Sequence, residues 1–290
     1  MALLNLKEFH SPRSLADARA LLDANEDALV LSGGTFLHGL EARGLLSDVE
    51  ALVDIRRIGL DAVEIDGAGL EIGATATFAR LQAVPEVGTE AWLGALADAL
   101  TYPPVQIRNT ATFGGCVAAA CPFFDIPTAL LALDASVDTD GPDGGRSLSL
   151  SELFMGLFAN TLDTGELITA LFVPRPAGRV ASAFLKLEGN ANDLAIVNAA
   201  VRLSVDAGGV CTDARVALGG GVAESTLRIP SAETILLGAK LDEATLRAAG
   251  EAVADDISPM SDHRASAAYR SALAKVMTRR ALERAVARLS

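Results

Sequence analysis

Two adjacent glycines in the middle of the chain constrain its fold more than any other feature of the sequence. Gly114 and Gly115 follow the β-prone residues 110–113 (Thr-Ala-Thr-Phe) and precede a run of small residues. Glycine leaves backbone N–H groups uncovered, so such a pair after a strand can bring bare backbone close to a phosphate or a planar ring. A helix is predicted to start at Asp125, with this carboxylate as the N-cap and Pro127 in the first turn.

A second glycine pair lies near the N-terminus. Residues 29–31 form a short apolar run, Ser32-Gly33-Gly34-Thr35 follows it, and a short helical pattern begins afterwards. Two such bends at strand ends can face one elongated anion from opposite sides. Neither bend matches the dinucleotide fingerprint G-x-G-x-x-G or the phosphate loop G-x-x-x-x-G-K-[ST]. Ordinary tight turns are the alternative explanation, because Gly-Gly is a common turn signal.

Length, charge and composition exclude several classes of protein. The 290 residues are 50% hydrophobic, which is enough for a large core and indicates two domains. The net charge of −13 argues against nucleic-acid binding, which needs clustered Lys and Arg. The basic cluster at 279–288 lies in a terminal helical pattern and indicates a solvated helix face or a subunit contact.

Cysteine content and the N-terminal segment indicate an intracellular compartment. The three cysteines, Cys116, Cys121 and Cys211, are typical of a reducing cytosol rather than of a disulfide scaffold. Cys116 and Cys121 have no histidine neighbour, so we interpret them as small residues in a tight place, with a reactive thiol as the alternative. Residues 1–12 lack the pattern of a signal peptide, and no run reaches transmembrane length. We expect a cytoplasmic chain with no membrane span.

Hydrophobic periodicity predicts mixed helices and strands in the first part of the chain. Ser14 is predicted to cap a helix that runs to about residue 23. Residues 174–178, rich in Pro and Gly, break the pattern, so we place a domain boundary there. Between these points the sequence predicts strands at 28–31 and 52–55, a hairpin at 63–72, helices at 78–84, 89–100 and 125–134, a hairpin at 136–150 and a strand at 166–173.

The second part of the chain has a different order of elements. Apolar runs predict strands at 182–187, 195–205 and 210–219, and helices follow from about residues 232, 242 and 264 to the end. Strands grouped first and helices grouped last indicate an α+β fold rather than alternating βαβ units.

Six short motifs, taken in order, resemble a known protein family. They are VLSGGTFL at 30–37, LEIGATAT at 70–77, QIRNTATFGGC to ALLALDA at 106–135, GELITALFVP at 165–174, AFLKLEGNANDLAIVNAAV at 183–201 and DHRASAAYR to LAKVMTRRAL at 262–282. The order is similar to that in the FAD-binding medium subunit of the molybdenum hydroxylases, the group that contains carbon monoxide, xanthine and nicotine dehydrogenases. The resemblance covers nearly the whole chain.

This resemblance implies an architecture and a cofactor. Residues 1–176 are expected to form an FAD-binding domain of two α+β subdomains, approximately 1–57 and 58–176. Residues 177–290 are expected to form a C-terminal α+β domain with a three-stranded antiparallel sheet and helices. The glycine loops would hold the FAD pyrophosphate and ribityl chain, since neutral backbone donors suit an anion in an acidic protein. The implied FAD contacts are Val30, Leu31, Ser32, Gly33, Gly34, Thr35, Phe36, Leu37, Tyr102, Thr112, Gly114, Gly115, Cys116, Asp125, Ile168 and Lys186.

Three of these residues have alternative interpretations, and three positions depart from the family pattern. Asp125 either caps its helix, bonds a ribityl hydroxyl, or does both. Tyr102 is either a core aromatic or a wall beside the flavin. Lys186 is either solvated or a ligand contact whose charge stabilises reduced, anionic flavin. The departures are Cys116 for the usual Asn, Phe36 for a smaller residue, and Leu194 for an aromatic residue.

The resemblance also implies partners. The chain would take electrons from a [2Fe-2S] small subunit, fed by a large subunit with the molybdenum cofactor, and pass them to an external acceptor, in a dimer of heterotrimers. The three histidines, His10, His38 and His263, have no matched carboxylate nearby in sequence, so no autonomous acid–base centre is visible. One alternative is a stand-alone FAD-dependent reductase or oxidase, similar to the enolpyruvyl-sugar reductases. The other is a scaffold whose loops are mere turns.

Overall fold

The N-terminal part of the chain folds around a small parallel sheet. The computed structural model describes residues 3, 5–25 and 27–289; the expectation about a signal peptide falls in part on Met1, Ala2 and Leu4, outside these ranges. The strands are β1 (Glu8–His10), β2 (Ala28–Leu31) and β3 (Ala51–Asp54), and they lie in the order β1-β3-β2. The helices are α1 (Leu15–Ala24) and α2 (Thr35–Glu41). Ser14 caps α1 by accepting a hydrogen bond from Asp17 N–H, as predicted.

A five-stranded antiparallel sheet follows, with helices packed on it. The strands are β4 (Val63–Ile65), β5 (Gly69–Gly73), β6 (Ser136–Asp140), β7 (Ser147–Ser149) and β10 (Leu167–Pro174), with a separate hairpin of β8 (Phe154–Gly156) and β9 (Ala159–Asn160). The order in the sheet is β4-β5-β10-β6-β7, so the long strand β10 lies at the centre. The helices are α3 (Phe78–Gln82), α4 (Pro85–Thr89), α5 (Gly94–Ala99), α6 (Val105–Thr110), α7 (Phe113–Ala118), α8 (Asp125–Ala132) and α9 (Leu150–Leu153).

Two predictions for this region are wrong. The β-prone residues 110–113 do not form a strand: α6 ends at Thr110, and Gly114 and Gly115 lie inside α7. Thr112 keeps an extended conformation and forms an isolated bridge with Thr77, so tertiary contacts override the local β propensity. The predicted helix at 89–100 is divided into a 3-10 turn, Ala91–Leu93, and the shorter α5.

The C-terminal part contains a sheet of four strands, not the three predicted. The strands are β11 (Arg179–Leu187), β12 (Val197–Val205), β13 (Cys211–Gly219) and β14 (Leu227–Arg228). They lie in the order β11-β12-β13-β14, and all neighbours are antiparallel; β14 has only two residues, too few to show alternation in the sequence. The helices begin near the predicted positions and are α10 (Pro230–Leu236), α11 (Glu243–Ala252) and α12 (Ala267–Arg288).

Strand β12 is buried along its whole length because both of its faces are covered. Ala200 packs into the core that contains the central sheet, whereas Ala199 and Val201 point to the core beneath α12. Side chains alternate across a strand, so one apolar strand can serve two cores. In the described part of the chain, no helix is both long and apolar enough to cross a membrane.

A group of polar contacts fastens the C-terminal sheet to the helices of the preceding part. Ser182 Oγ accepts a hydrogen bond from Ala95 N–H at 2.8 Å and donates one to the carbonyl oxygen of Trp92 at 2.7 Å. Arg288, at the end of α12, makes a bidentate ion pair with Asp98 of α5, with N–O distances of 2.8 and 2.7 Å. Bidentate pairing fixes orientation as well as distance.

A buried carboxylate also connects the polar hairpin of β6 and β7 to the start of β10. Glu166, just before β10, accepts hydrogen bonds from Thr139 at 2.5 Å, from Arg146 at 2.7 and 2.6 Å, and from Asp163 N–H at 2.8 Å. These bonds, led by that from Arg146, lower the pKa of Glu166 from 4.5 to about 2, against the opposing effect of burial. The ionised form is therefore the one that the fold stabilises.

We predict that Glu166→Gln lowers the free energy of unfolding by roughly 1.5–3 kcal/mol at neutral pH, since charge-assisted hydrogen bonds are lost. Because the pKa is depressed on folding, this contribution is complete above about pH 4.5 and disappears as the pH falls towards about 2. Urea unfolding of both proteins at several pH values measures the difference. Glu64→Gln, at an exposed position of β4, is the control. A difference that stays constant down to pH 2.5 would contradict this assignment.

Candidate FAD-binding site

The first glycine pair forms the bend between β2 and α2. Gly34 is the N-cap of α2 and has a φ of +70°, in the left-handed region that glycine adopts without strain. Gly33 lies against the backbone of the other glycine segment. A Cβ atom at this position would collide with the carbonyl oxygen of Thr110 and lie 3.0 Å from Cα of Ala111. The first bend is therefore in direct contact with the second bend, which is the segment 110–115 from the end of α6 to the start of α7.

The second glycine pair is held on the central sheet by two consecutive hydrogen bonds. Ala74 N–H donates to the carbonyl oxygen of Thr169 at 2.9 Å, and Gly114 N–H donates to the carbonyl oxygen of Ala74 at 2.8 Å. A Cβ atom at Gly114 would lie 2.7 Å from the Ala74 Cβ atom. Gly114 is thus required for packing of α7 on the sheet, whereas Gly115 is exposed.

Three aromatic rings connect the first bend to the residues before α8 and to the β8-β9 hairpin. The ring of Phe36 lies 5.8 Å from that of Phe124 in an edge arrangement and 5.7 Å from that of Phe158 in a tilted one. Phe158 has a φ of +56° and donates its N–H to the carbonyl oxygen of Ala120 at 3.2 Å. The large residue at position 36 therefore fills the space between the first loop and the residues that precede α8.

Three buried hydroxyls next to the bends have no hydrogen-bond partner in the described part of the chain. They belong to Ser32, Thr75 and Thr112, which are 8%, 6% and 3% exposed. A buried polar group without a partner costs free energy, so a set of such groups beside two glycine bends indicates a ligand that supplies the partner. The phosphate and hydroxyl oxygens of FAD match these hydroxyls in chemistry. The residues present therefore fit this cofactor.

A buried ion pair lies close to Cys116, the residue that follows the second glycine pair. Lys186 Nζ is 3.0 Å from Asp125 Oδ2, and the two side chains are 3% and 8% exposed. Asp125 is the first residue of α8, not its N-cap: Phe124 occupies that position, and no side chain caps this helix. The predicted capping role is wrong because the carboxylate turns to Lys186 and to Asn198, whose Nδ2 donates to Asp125 Oδ1 at 3.1 Å.

Lys186 is surrounded on several sides, so a solvated lysine is excluded. Glu188 Oε2 lies 3.0 Å from its ammonium group. The Lys186 N–H donates to Tyr102 Oη at 3.3 Å, and the ammonium lies 5.3 Å from the centre of the Tyr102 ring. Tyr102 also packs edge-on against Phe184, with ring centroids 5.6 Å apart. Tyr102 thus packs against the core, and its position beside the flavin stays a prediction.

Burial sets the protonation of the acidic groups here. It raises the pKa of Asp125 to about 6, more than Lys186 and the Asn198 hydrogen bond lower it. Burial, with smaller contributions from Cys121 and Asp125, raises the pKa of the Cys116 thiol well above its usual value. A reactive Cys116 thiolate is therefore disfavoured, and the interpretation as a small residue in a tight place agrees with the structure.

The other predicted contact residues have different surroundings. Val30 packs into the small core of the parallel sheet, with Leu22 and Val53, so only its backbone is free to face the cleft. Ile168 is 6% exposed, in β10, and adjoins the Thr169 carbonyl that anchors the second bend. Leu31, Thr35, Leu37 and Cys116 are partly or fully buried around the bends. Their contacts with FAD stay a prediction.

Three polar residues of this region were not identified from the sequence. Asn198 lies in the apolar strand β12, is fully buried, and bonds Asp125 and the carbonyl oxygen of Phe124. Thr128 donates to Asn198 Oδ1 at 2.9 Å and so completes its hydrogen bonding. Thr75 carries one of the unpaired hydroxyls. The available signal for Asn198 was an amide inside an otherwise apolar run, since a buried amide needs partners.

Comparison with known protein families agrees with this geometry. A family model described as the FAD binding domain in molybdopterin dehydrogenase matches residues 5–176. A second, described as the CO dehydrogenase flavoprotein C-terminal domain, matches residues 182–285. The chain belongs to the flavoprotein subunits of the molybdopterin dehydrogenases. It is thus an FAD-binding subunit of an oxidoreductase.

Individual relatives of this flavoprotein subunit span its whole length. It is 35% identical to the carbon monoxide dehydrogenase medium chain of Afipia carboxidovorans, with 97% of each chain covered. It is 33% identical to the nicotine 6-hydroxylase medium subunit of Paenarthrobacter nicotinovorans, again over 97% of each. A solved structure of carbon monoxide dehydrogenase from Hydrogenophaga pseudoflava matches with a TM-score of 0.92 and 33% identity, over 98% of this chain and 99% of that one. The resemblance inferred from the motifs and the α+β fold are confirmed.

We predict that Gly33→Ala weakens FAD binding tenfold or more. The added methyl group must displace the Thr110 carbonyl, at a cost of roughly 1–3 kcal/mol, and so moves the two bends apart. Gly39→Ala is the matched control, because a Cβ atom there would meet nothing within 4 Å. Fluorescence titration of the FAD-free proteins measures the dissociation constants. Equal affinity in the two variants would show that contact between the bends does not shape the site.

Proposed function

We propose that this flavoprotein subunit transfers electrons from a [2Fe-2S] partner subunit to an external acceptor. FAD supplies the redox chemistry when bound, and the chain supplies binding, orientation and electrostatics. The observation that carries this proposal is the contact between two glycine bends that have three unpartnered buried hydroxyls beside them, those of Ser32, Thr75 and Thr112. We propose that these groups line one cleft that takes the pyrophosphate and the hydroxylated chain of FAD, with the buried Lys186 beside the redox-active ring.

The proposed division of labour follows from the chemistry of each group. The backbone around Gly33, Gly34 and Gly115 binds the pyrophosphate, because uncovered N–H groups donate hydrogen bonds to an anion without adding charge. The hydroxyls of Ser32 and Thr112 bond phosphate or ribityl oxygens. Lys186 is the proposed cationic contact beside the flavin ring, with its charge shared with Asp125 and Glu188. The further proposed contacts are Val30, Leu31, Thr35, Phe36, Leu37, Tyr102, Gly114, Cys116, Asp125 and Ile168.

The domain organisation that supports this function is also a proposal. Residues 1–176 form the FAD-binding domain, with subdomains at approximately 1–57 and 58–176, and residues 177–290 form the C-terminal domain. In support, the parallel sheet ends at Asp54, the five-stranded sheet ends at Pro174, and the four-stranded sheet starts at Arg179. In this proposal the cleft lies where the first two sheets meet, with Lys186 of β11 beside it.

The chemistry on the organic substrate belongs, in this proposal, to another subunit. His10, His38 and His263 lie in β1, in α2 and in the segment before α12, so they do not form one site. In the described part of the chain, no cluster of three or more His, Cys, Asp or Glu residues could hold a metal ion. We propose partners that carry the molybdenum cofactor and the [2Fe-2S] clusters, a cytoplasmic dimer of heterotrimers, and no nucleic-acid partner.

Purification of the tagged chain from its own host tests the proposal. We expect about one FAD per chain, together with two co-purifying chains that contain molybdenum and iron. The isolated chain with FAD should be reducible by dithionite but not by an organic substrate, whereas the complex should reduce its flavin on substrate addition. Substrate turnover by the isolated chain would instead identify a stand-alone reductase or oxidase. A colourless chain that takes up no FAD would identify a scaffold.

A further inference from the structure

The ion pair beside the cleft contains one carboxylate more than it needs. Lys186 Nζ lies 3.0 Å from both Asp125 Oδ2 and Glu188 Oε2. With both acids ionised, the three side chains carry a net charge of −1, and the lysine and Asp125 are almost fully buried. A buried charge without compensation is unfavourable, so binding of a single proton is the simplest way to neutralise the cluster.

The hydrogen bonds of the cluster leave room for this proton. Asp125 Oδ1 accepts one bond, from Asn198, and Oδ2 accepts one, from Lys186. Glu188 Oε2 is buried and accepts no hydrogen bond, although the ammonium is close. Each acid therefore keeps an oxygen lone pair that is free to take a proton. Since the acids interact through one lysine, the proton belongs to the cluster as a whole rather than to one oxygen.

The groups that face Asp125 from neighbouring elements do not remove the excess charge. Asn198 of β12 and Thr128 of α8 are neutral, and Cys116 of α7 has a raised pKa and stays a thiol. Tyr102 faces Lys186 with its ring and accepts a backbone N–H. The guanidinium of Arg264 lies over the Phe123 ring, 4.0 Å from its centre, and pairs with Asp262 instead. Lys186 and Glu188 are the charged partners in contact with Asp125 or its lysine.

We propose that the cluster of Asp125, Lys186 and Glu188 takes up one proton from solvent when FAD binds. This inference rests on the proposed position of FAD in the cleft. The pyrophosphate of FAD brings two negative charges towards a site that already has an unbalanced carboxylate, and like charge disfavours ionisation. FAD binding also covers the cleft and removes water from the cluster, which acts in the same direction. Binding of the cofactor and of the proton therefore support each other.

The pH dependence of FAD binding follows from the protonation of Asp125 in the FAD-free protein. Asp125 without FAD has a pKa of about 6, so at pH 7 and 8 the cluster is mostly without its extra proton. When FAD raises this pKa further, the proton is taken up in that range. The dissociation constant of FAD then increases with pH, by up to tenfold per unit where a full proton is taken up. Below about pH 6 the proton is already present, and the dependence becomes flat.

Isothermal titration calorimetry of the FAD-free full chain with FAD tests the proposal. Titrations at pH 6, 7 and 8, each in two buffers with different ionisation enthalpies, give the number of protons taken up per FAD. We expect more than half a proton at pH 7 and at pH 8, less at pH 6, and the matching rise in the dissociation constant. FAD binding with no proton uptake at pH 7 and 8 would overturn the proposal and leave the flavoprotein function intact. Failure of the chain to bind FAD at all would overturn the function itself.

Substitutions test whether the proton taken up on FAD binding belongs to the cluster. Asp125→Asn should abolish the uptake and flatten the pH dependence, whereas uptake that persists in this variant would place the proton elsewhere. Glu188→Gln removes the excess carboxylate and should also reduce the uptake, which keeps the assignment testable if Asp125→Asn does not fold. His38→Gln is the matched control: this side chain follows the first glycine loop, is 70% exposed, and should leave the uptake unchanged.

Discussion

The cleft of this flavoprotein subunit depends on a close approach of backbone to backbone at two glycines. Gly33 touches the Thr110 carbonyl, and Gly114 lies on Ala74 with its N–H bonded to the Ala74 carbonyl oxygen. These contacts join the parallel sheet, the helical segment at 105–118 and the central antiparallel sheet. A side chain at either position would separate them, since packed backbone cannot yield by a rotamer change. The two glycines are therefore required for the packing of these elements.

The buried charges of the cleft depend on the third sheet. Lys186 comes from β11 and Asn198 from β12, and both contact Asp125 at the start of α8. A buried ion pair adds little net stability, because desolvation of the charges offsets their attraction. Loss of one partner is costly, however, since it leaves the other charge unpaired. The arrangement thus determines where α8 meets the C-terminal sheet more than how strongly the two adhere.

The C-terminal sheet can hold Lys186 and Asn198 in place because it is fastened on both faces. Strand β12 contributes alternate residues to two cores, and Arg288 and Ser182 bind α5. A rigid platform of this kind holds a lysine at a defined distance from a carboxylate. The excess carboxylate, Glu188, lies just past the end of β11, where the strand leaves the core. Its position beside Lys186 leaves the cluster with two carboxylates and one cation.

The sequence by itself determined the family and those local structures that depend on neighbouring residues alone. Ser14, the glycine bend after β2 and the apolar runs of β11 to β13 predicted their elements because caps, turns and alternation depend on neighbouring residues. The order of the motifs was sufficient to identify the family and the cofactor. Tertiary structure alone decided the roles of Gly114, of Asp125 and of Lys186. Each depends on a partner far away in the chain, Ala74, Asn198 or Asp125, and a local pattern contains no information on which distant residue will fill the space beside it.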